Sequence, residues 1–111
     1  SNPLISVIRL HGDLDDFHTP AVQQEMQSLL EAGLLAERVV LYAAGIGYIN
    51  HSGLDFLRSL GLALRDSGRS MVLTNLRQPV MEYLRALGYH EYFAIRPSIE
   101  GGVRALVSIS A

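Results

Sequence analysis

The sequence contains no cysteine and no lysine, and its nine basic residues are all arginines. Without cysteine, the chain has no disulfide, no cysteine-type zinc site and no thiol catalysis. No apolar run reaches the ~18 residues that a membrane-crossing helix needs, and no signal-peptide pattern appears. The net charge of −2 without a basic stripe argues against nucleic-acid binding. These absences predict a cytoplasmic protein that does not itself insert into a membrane.

The composition is that of a folded chain, with 49% hydrophobic and 18% charged residues among 111. This length fits one domain with one core. The chain starts Ser1-Asn2 without methionine, and we interpret these two residues as a tag scar. We therefore expect a single domain over 3–111, which leaves a longer natural protein open.

Strand and helix patterns alternate along the chain. Short runs rich in β-branched, aromatic or apolar residues predict strands at 4–10, 39–41, 71–73 and 92–95. Helix starts are predicted at Thr19-Pro20 with Thr19 as N-cap, at 50–53, at Pro79 and at Pro97-Ser98. Gly33, Gly68 and Gly88 are expected to end the first three helices, and 43–45 to loosen the chain after the apolar run 39–41. This β-α-β-α-β-α-β-α order predicts an α/β fold with a mostly parallel sheet.

Ser52 is the first candidate for catalysis, because it sits at a predicted strand-to-helix turn. It lacks the leading glycine of the G-x-S-x-G elbow of hydrolases, so helix capping is the alternative role. The four histidines include no pair at i, i+4 spacing and no H-E-x-x-H motif. We therefore predict no catalytic residue, no metal site and no cofactor, and the protein is not expected to be an enzyme.

Two other segments have the chemistry of binding sites. Asp13, Asp15, Asp16 and His18 cluster in one loop, which is either simply solvated or contacts a divalent ion or a partner. The free amides at the start of the second helix favour negative charge, so a small anion or nucleotide could bind there. Every helix start offers such amides, so this signal is weak.

From Ile5 to Leu106 the chain resembles the STAS domain, shared by anti-sigma-factor antagonists and the cytosolic tails of sulfate-type anion transporters. Residues 8–15 are similar to the opening strand and G-x-L-D turn of that family, and 39–49 to its central strand. Residues 71–88 are similar to its third strand and the following glycine-ended helix. Asn50-His51-Ser52-Gly53-Leu54 stands where the family usually has D-S-S-G-L.

The resemblance implies a mixed sheet of about four strands with four helices packed on it. It also implies a non-enzymatic, protein-binding regulator that docks a kinase-like anti-sigma factor through Asn50–Leu54, with the Asp13–His18 loop nearby. In antagonists the first serine of the motif is phosphorylated, and here His51 replaces it, so the usual switch is expected to be lost. Asn50 can still cap the helix as aspartate would. His51 is either a tolerated surface residue or the sign of a changed function.

The same resemblance leaves two alternatives open. The chain could be the cytosolic STAS domain of a sulfate or anion transporter, tethered to the membrane by its parent protein. It could also be an accessory subunit of a lipid-transport ATPase. Antagonists usually carry a short strand before the segment that matches 5–10, and its absence favours an excised domain. The acidic turn Asp13-Leu14-Asp15-Asp16 is closer to that of antagonists than to the apolar turn of transporters.

Overall fold

The computed structural model describes the backbone of residues 4–110 and the side chains of residues 4–108. Strands and helices alternate as predicted. The strands are β1 (Ile5–His11), β2 (Arg38–Gly45), β3 (Ser70–Thr74) and β4 (Ala94–Arg96). The helices are α1 (Thr19–Glu31), α2 (His51–Asp66), α3 (Gln78–Ala86) and α4 (Ile99–Ser110), with a short 3₁₀ helix at Tyr89–Tyr92. Within the described chain, no helix has both the length and the apolar character needed to span a membrane.

The four strands form one sheet in the order β1-β2-β3-β4, and each neighbouring pair is parallel. The predicted α/β fold of four strands and four helices is therefore confirmed. The resemblance implied a mixed sheet, but every pairing between strands of residues 4–110 is parallel. A helical connection precedes each new strand, and such a crossover returns the chain to the same end of the sheet.

Alternation along the strands divides the core between the two faces of the sheet. Val39 and Leu41 belong to the larger core, which includes buried residues of α1, α2 and α3. Val40 points to the other face, where Val72 and Leu106 form a smaller core beneath α4. This helix lies close to the sheet, since a Cβ added at Gly102 would be only 2.7 Å from Thr74 Cγ2.

Three local predictions are wrong. Thr19 is the first helical residue rather than the N-cap, and the N-cap His18 has no capping side-chain bond. The segment 43–45 continues β2, because Gly45 pairs with His11 of β1. The fourth strand begins at Ala94 rather than 92, because the chain after Gly88 first forms the 3₁₀ helix. The predicted glycine ends hold, with positive φ at Gly33, Gly68 and Gly88.

Candidate functional site

The loops after β1 and β2 meet at one end of the sheet. These strands are parallel and adjacent, so their carboxyl ends coincide. Backbone hydrogen bonds then join the loops: Leu14 N–H donates to the Tyr48 carbonyl at 2.9 Å, and Asn50 N–H donates to the Leu14 carbonyl at 3.1 Å. We call the surface formed by Asp13–His18 and Asn50–Ser52 the loop pair. The structure thus brings the Asp13–His18 loop into contact with the segment that leads into α2.

Asn50 is the N-cap of α2, as predicted. Its backbone is extended, and its side-chain oxygen accepts a hydrogen bond from Gly53 N–H at 3.2 Å. Gly53 and Leu54 follow and are both buried. A Cβ at Gly53 would clash with the Leu14 carbonyl and lie 2.7 Å from Leu14 Cβ, so only glycine fits beneath the Asp13–His18 loop. The expectation that this motif faces a partner therefore fails for Gly53 and Leu54, which support the loop pair from within the core.

Asp16 connects the two segments through side chains. Its carboxylate accepts hydrogen bonds from Ser52 Oγ and, at 3.4 Å, from Asn50 Nδ2. The Ser52 hydroxyl therefore donates to the neighbouring loop and does not cap α2. Since Asp16 contacts two residues at the start of the helix, it fixes the loop against α2.

Asp15 organises the turn that leads into α1. Its Oδ1 atom accepts hydrogen bonds from Phe17 N–H at 3.0 Å and His18 N–H at 2.9 Å, and lies 2.7 Å from His18 Nδ1. The backbone hydrogen bond from His18 is the main reason why the pKa of Asp15 lies below its ordinary value. Hydrogen bonds donated to this carboxylate favour its ionised form.

His51 is largely solvent-accessible, with 69% of its side chain exposed. Its Nε2 atom lies 3.4 Å from Asp55 Oδ2, one helical turn on. Tyr89 completes the group: its hydroxyl donates to Asp55 Oδ1 at 2.7 Å and its ring meets His51 edge-on. That hydrogen bond is the main reason why the pKa of Tyr89 is raised. The i, i+4 spacing of His51 and Asp55 could have indicated their contact, whereas no local pattern points to Tyr89.

Exposed aromatic side chains flank the loop pair. Phe17 is 88% exposed within the Asp13–His18 loop, and Tyr48 is 54% exposed just before Asn50. Sequence reasoning missed both as site residues, because neither belongs to a motif. Large aromatic groups are enriched at protein–protein contacts, where they supply apolar area at low entropic cost.

The hydrogen-bond pattern of the loop pair does not resemble that of an activated nucleophile. Such a serine needs a base in hydrogen-bond reach, usually a histidine. Within residues 4–108, Ser52 bonds to Asp16, while His51 contacts Asp55 on its own helix. In the same part of the chain, no three histidine or carboxylate side chains are grouped so that they could hold a metal ion.

Comparison with known proteins identifies the family to which this fold belongs. A family model for the STAS domain matches residues 1–102. The chain belongs to the STAS domain family. The family resemblance inferred from the sequence is thereby confirmed, and with it the coarse assignment to a family of regulatory and transporter-associated domains.

Solved STAS structures of two kinds share the fold. The STAS domain of a SulP transporter from Vibrio cholerae is 17% identical, with a TM-score of 0.72; the match covers 96% of this chain and 84% of that one. An anti-sigma factor antagonist from Mycobacterium paratuberculosis is 17% identical, with a TM-score of 0.75 and coverage of 92% and 85%. The murine Slc26a9 anion transporter is 16% identical, with a TM-score of 0.81; the match covers 96% of this chain but only 18% of the transporter. The fold is therefore common to antagonists and transporter domains and does not choose between them.

Proposed function

We propose that this STAS domain is a non-enzymatic regulator that binds a protein partner through the loop pair, in the manner of an anti-sigma-factor antagonist. The observation that carries the proposal is the bonding of Asp16 to both Ser52 and Asn50. It joins two loops that are far apart in sequence into one surface. A surface that is already ordered loses less conformational entropy when a partner binds.

The chemistry of the loop pair suits a protein partner. It carries the exposed carboxylates Asp13 and Asp16 and the exposed ring of Phe17, and the exposed Tyr48 precedes Asn50 in the chain. Aromatic anchors within a polar rim are the usual composition of an energetically important contact. A partner pocket that accepts these aromatic side chains would complement the surface.

We further propose that serine phosphorylation does not switch this domain. A serine kinase has no acceptor at His51, and the neighbouring Ser52 hydroxyl is already bonded to Asp16. A phosphate on Ser52 would bring about −1.5 to −2 charges against that carboxylate. Incubation with a kinase-like anti-sigma factor and ATP should therefore leave the intact mass unchanged. Stoichiometric gain of one phosphate on Ser52 would contradict this part of the proposal.

Partner binding can be tested with His51→Glu, which places an acidic group on the exposed rim of the loop pair. Negative charge at a helix start is tolerated or mildly stabilising, so the fold should be preserved. Binding should weaken by a few kcal/mol if the partner covers this position. The measurement is a titration of wild type and variant with a purified kinase-like anti-sigma factor, alongside thermal melts. Arg104→Gln is the matched control, because it also makes the net charge more negative by one but lies on α4.

The outcomes of that titration separate the candidate functions. Affinity that falls for His51→Glu and is unchanged for Arg104→Gln would support an antagonist-like module. No binding of wild type to anti-sigma factors, with binding to the cytosolic part of an anion transporter, would favour the transporter alternative. Binding only to the other subunits of a lipid-transport ATPase would favour the accessory-subunit alternative. Unchanged affinity for His51→Glu would remove this position from the docking surface.

A further inference from the structure

A cavity of about 370 Å³ lies at the opposite end of the sheet from the loop pair. It is enclosed by the second half of α2, by the beginnings of β3 and β4, and by the end of the 3₁₀ helix. Its charged lining residues are Arg58, Arg65, Arg69 and Glu91. The three arginines outnumber the carboxylate, although the whole chain carries a net charge of −2. The cavity is thus a local concentration of positive charge.

Among residues 4–108, none of these three arginines forms an ion pair. Two of them are nevertheless held in place. The Arg58 guanidinium lies 4.8 Å from the centroid of the Tyr92 ring. Arg69 donates to the Leu35 carbonyl at 3.3 Å and to Ser67 Oγ at 2.8 Å. These contacts orient the side chains and leave their charge unneutralised. A bound anion would balance the excess positive charge of the cavity lining.

Gly61 lies in the middle of α2 and lines the same cavity. Glycine is a poor residue for a helix interior, so an ordinary helix position would favour another side chain here. A Cβ at Gly61 would lie 3.3 Å from Met71 Cε. A longer side chain would extend into the space bordered by Leu62, Met71 and Phe93. The absence of a side chain at this position therefore keeps an apolar wall accessible beside the arginines.

We propose that this arginine cavity binds a small phosphate-bearing molecule. Guanidinium groups match phosphate geometry with paired hydrogen bonds. The volume lies within the range of small-molecule pockets, about 300–1,000 Å³. The apolar wall beside Gly61 would hold the organic part of the ligand. This inference is independent of the proposed function, because it involves none of the residues of the loop pair.

Calorimetric titration in metal-free, low-salt buffer tests the cavity with three probes: pyrophosphate, ATP and adenosine. ATP and pyrophosphate should bind, ATP more tightly, and adenosine should not. Arg65→Gln should weaken binding about tenfold, as expected for loss of a charge-assisted hydrogen bond. Arg104→Gln removes the same charge on α4 and should change affinity by less than about twofold. Amide NMR shifts on adding pyrophosphate should centre on Gly61 and Ser70.

Gly61→Leu provides a second variant, which fills the cavity without altering its charge. It should weaken ATP binding more than pyrophosphate binding, with melting temperature recorded to verify that the variant is folded. Three results would overturn the proposal: no binding of either phosphate at millimolar concentration, equal weakening by Arg104→Gln and Arg65→Gln, or NMR shifts centred on His51–Gly53. Retention on vesicles of anionic phospholipid, without binding of either soluble phosphate, would also overturn it in favour of a membrane surface.

Discussion

The two ends of α2 carry charges of opposite sign and differ in how their side chains are held. At its beginning, the Asp16 carboxylate bonds to Ser52 and Asn50, and Asp55 accepts from Tyr89. Towards its end, the arginines surround a cavity, and the described residues offer none of them a carboxylate partner. The first end is a bonded, outward-facing surface, and the second is a concave one with more arginines than carboxylates in its lining.

Helix electrostatics accounts for part of this contrast. Negative groups are favoured at a helix start and positive groups at its end, by about 0.3–1 kcal/mol each. The signs of the charges therefore do not in themselves indicate function. The bonding does distinguish the ends, because side-chain hydrogen bonds join two loops at one, whereas the arginines at the other border a cavity. The two ends should consequently respond differently to substitutions of the same kind.

The largest contrast is expected between two leucines of α2. Leu54 is fully buried beneath the loop pair, whereas Leu62 is 41% exposed beside the arginine cavity. Leu54→Ala should lower the free energy of unfolding by about 3–4 kcal/mol, through lost burial and the cavity that remains. Leu62→Ala should cost less than about 1 kcal/mol. Urea unfolding of both variants is the measurement, and equal losses would show that the two ends are supported alike.

Local sequence patterns were sufficient for the parts of the site that depend on neighbouring residues. The capping role of Asn50 follows from its residue type and its place before α2. Thr19 shows the limit, because Asp15 satisfies the backbone before α1 and the predicted threonine cap is not used. The hydrogen bonds that Asp15 accepts there were not among the predictions.

Contacts between distant segments could not be predicted in this way. Ser52 meets Asp16 from 36 positions away, and Tyr89 meets Asp55 from 34. Tyr92 has strong β propensity, yet its ring packs against Arg58 and Tyr89 as part of a 3₁₀ helix. Tertiary contacts override propensity at such positions. Arg58 and Tyr92 also line the arginine cavity, which could therefore not be predicted from local sequence patterns.

A smaller effect should follow from removing the cap at the start of α2. Asn50→Ala loses the hydrogen bond from Gly53 N–H and the contact with Asp16. We expect a loss of about 1 kcal/mol in the free energy of unfolding. Asn50→Ser is the control, since serine also caps well and should recover most of this loss. If both variants are as stable as wild type, the loop pair does not depend on the cap.

The smallest expected effect is on the way in which stability depends on pH. The pKa of Asp15 is lowered in the folded state, chiefly by the hydrogen bond from His18 N–H. A lowered pKa means that the ionised carboxylate stabilises the fold above its unfolded pKa, ordinarily near 3.8, and that this contribution disappears as the pH falls through the folded value. Wild type should therefore be more stable than Asp15→Asn at pH 7, and the difference should shrink below about pH 4.

Thermal melts of both proteins from pH 7 to pH 3 measure this difference, and subtraction removes the titration of all other carboxylates. Asparagine can still accept hydrogen bonds from the backbone of the turn, so the effect depends on the charge alone and should be small. The amides of Phe17 and His18 should shift in NMR spectra over the same acidic range. The arginine side chains do not titrate in this range, and Arg65 should therefore show no matching shift. A difference in melting temperature that is constant with pH would show that Asp15 holds the turn by geometry rather than by its charge.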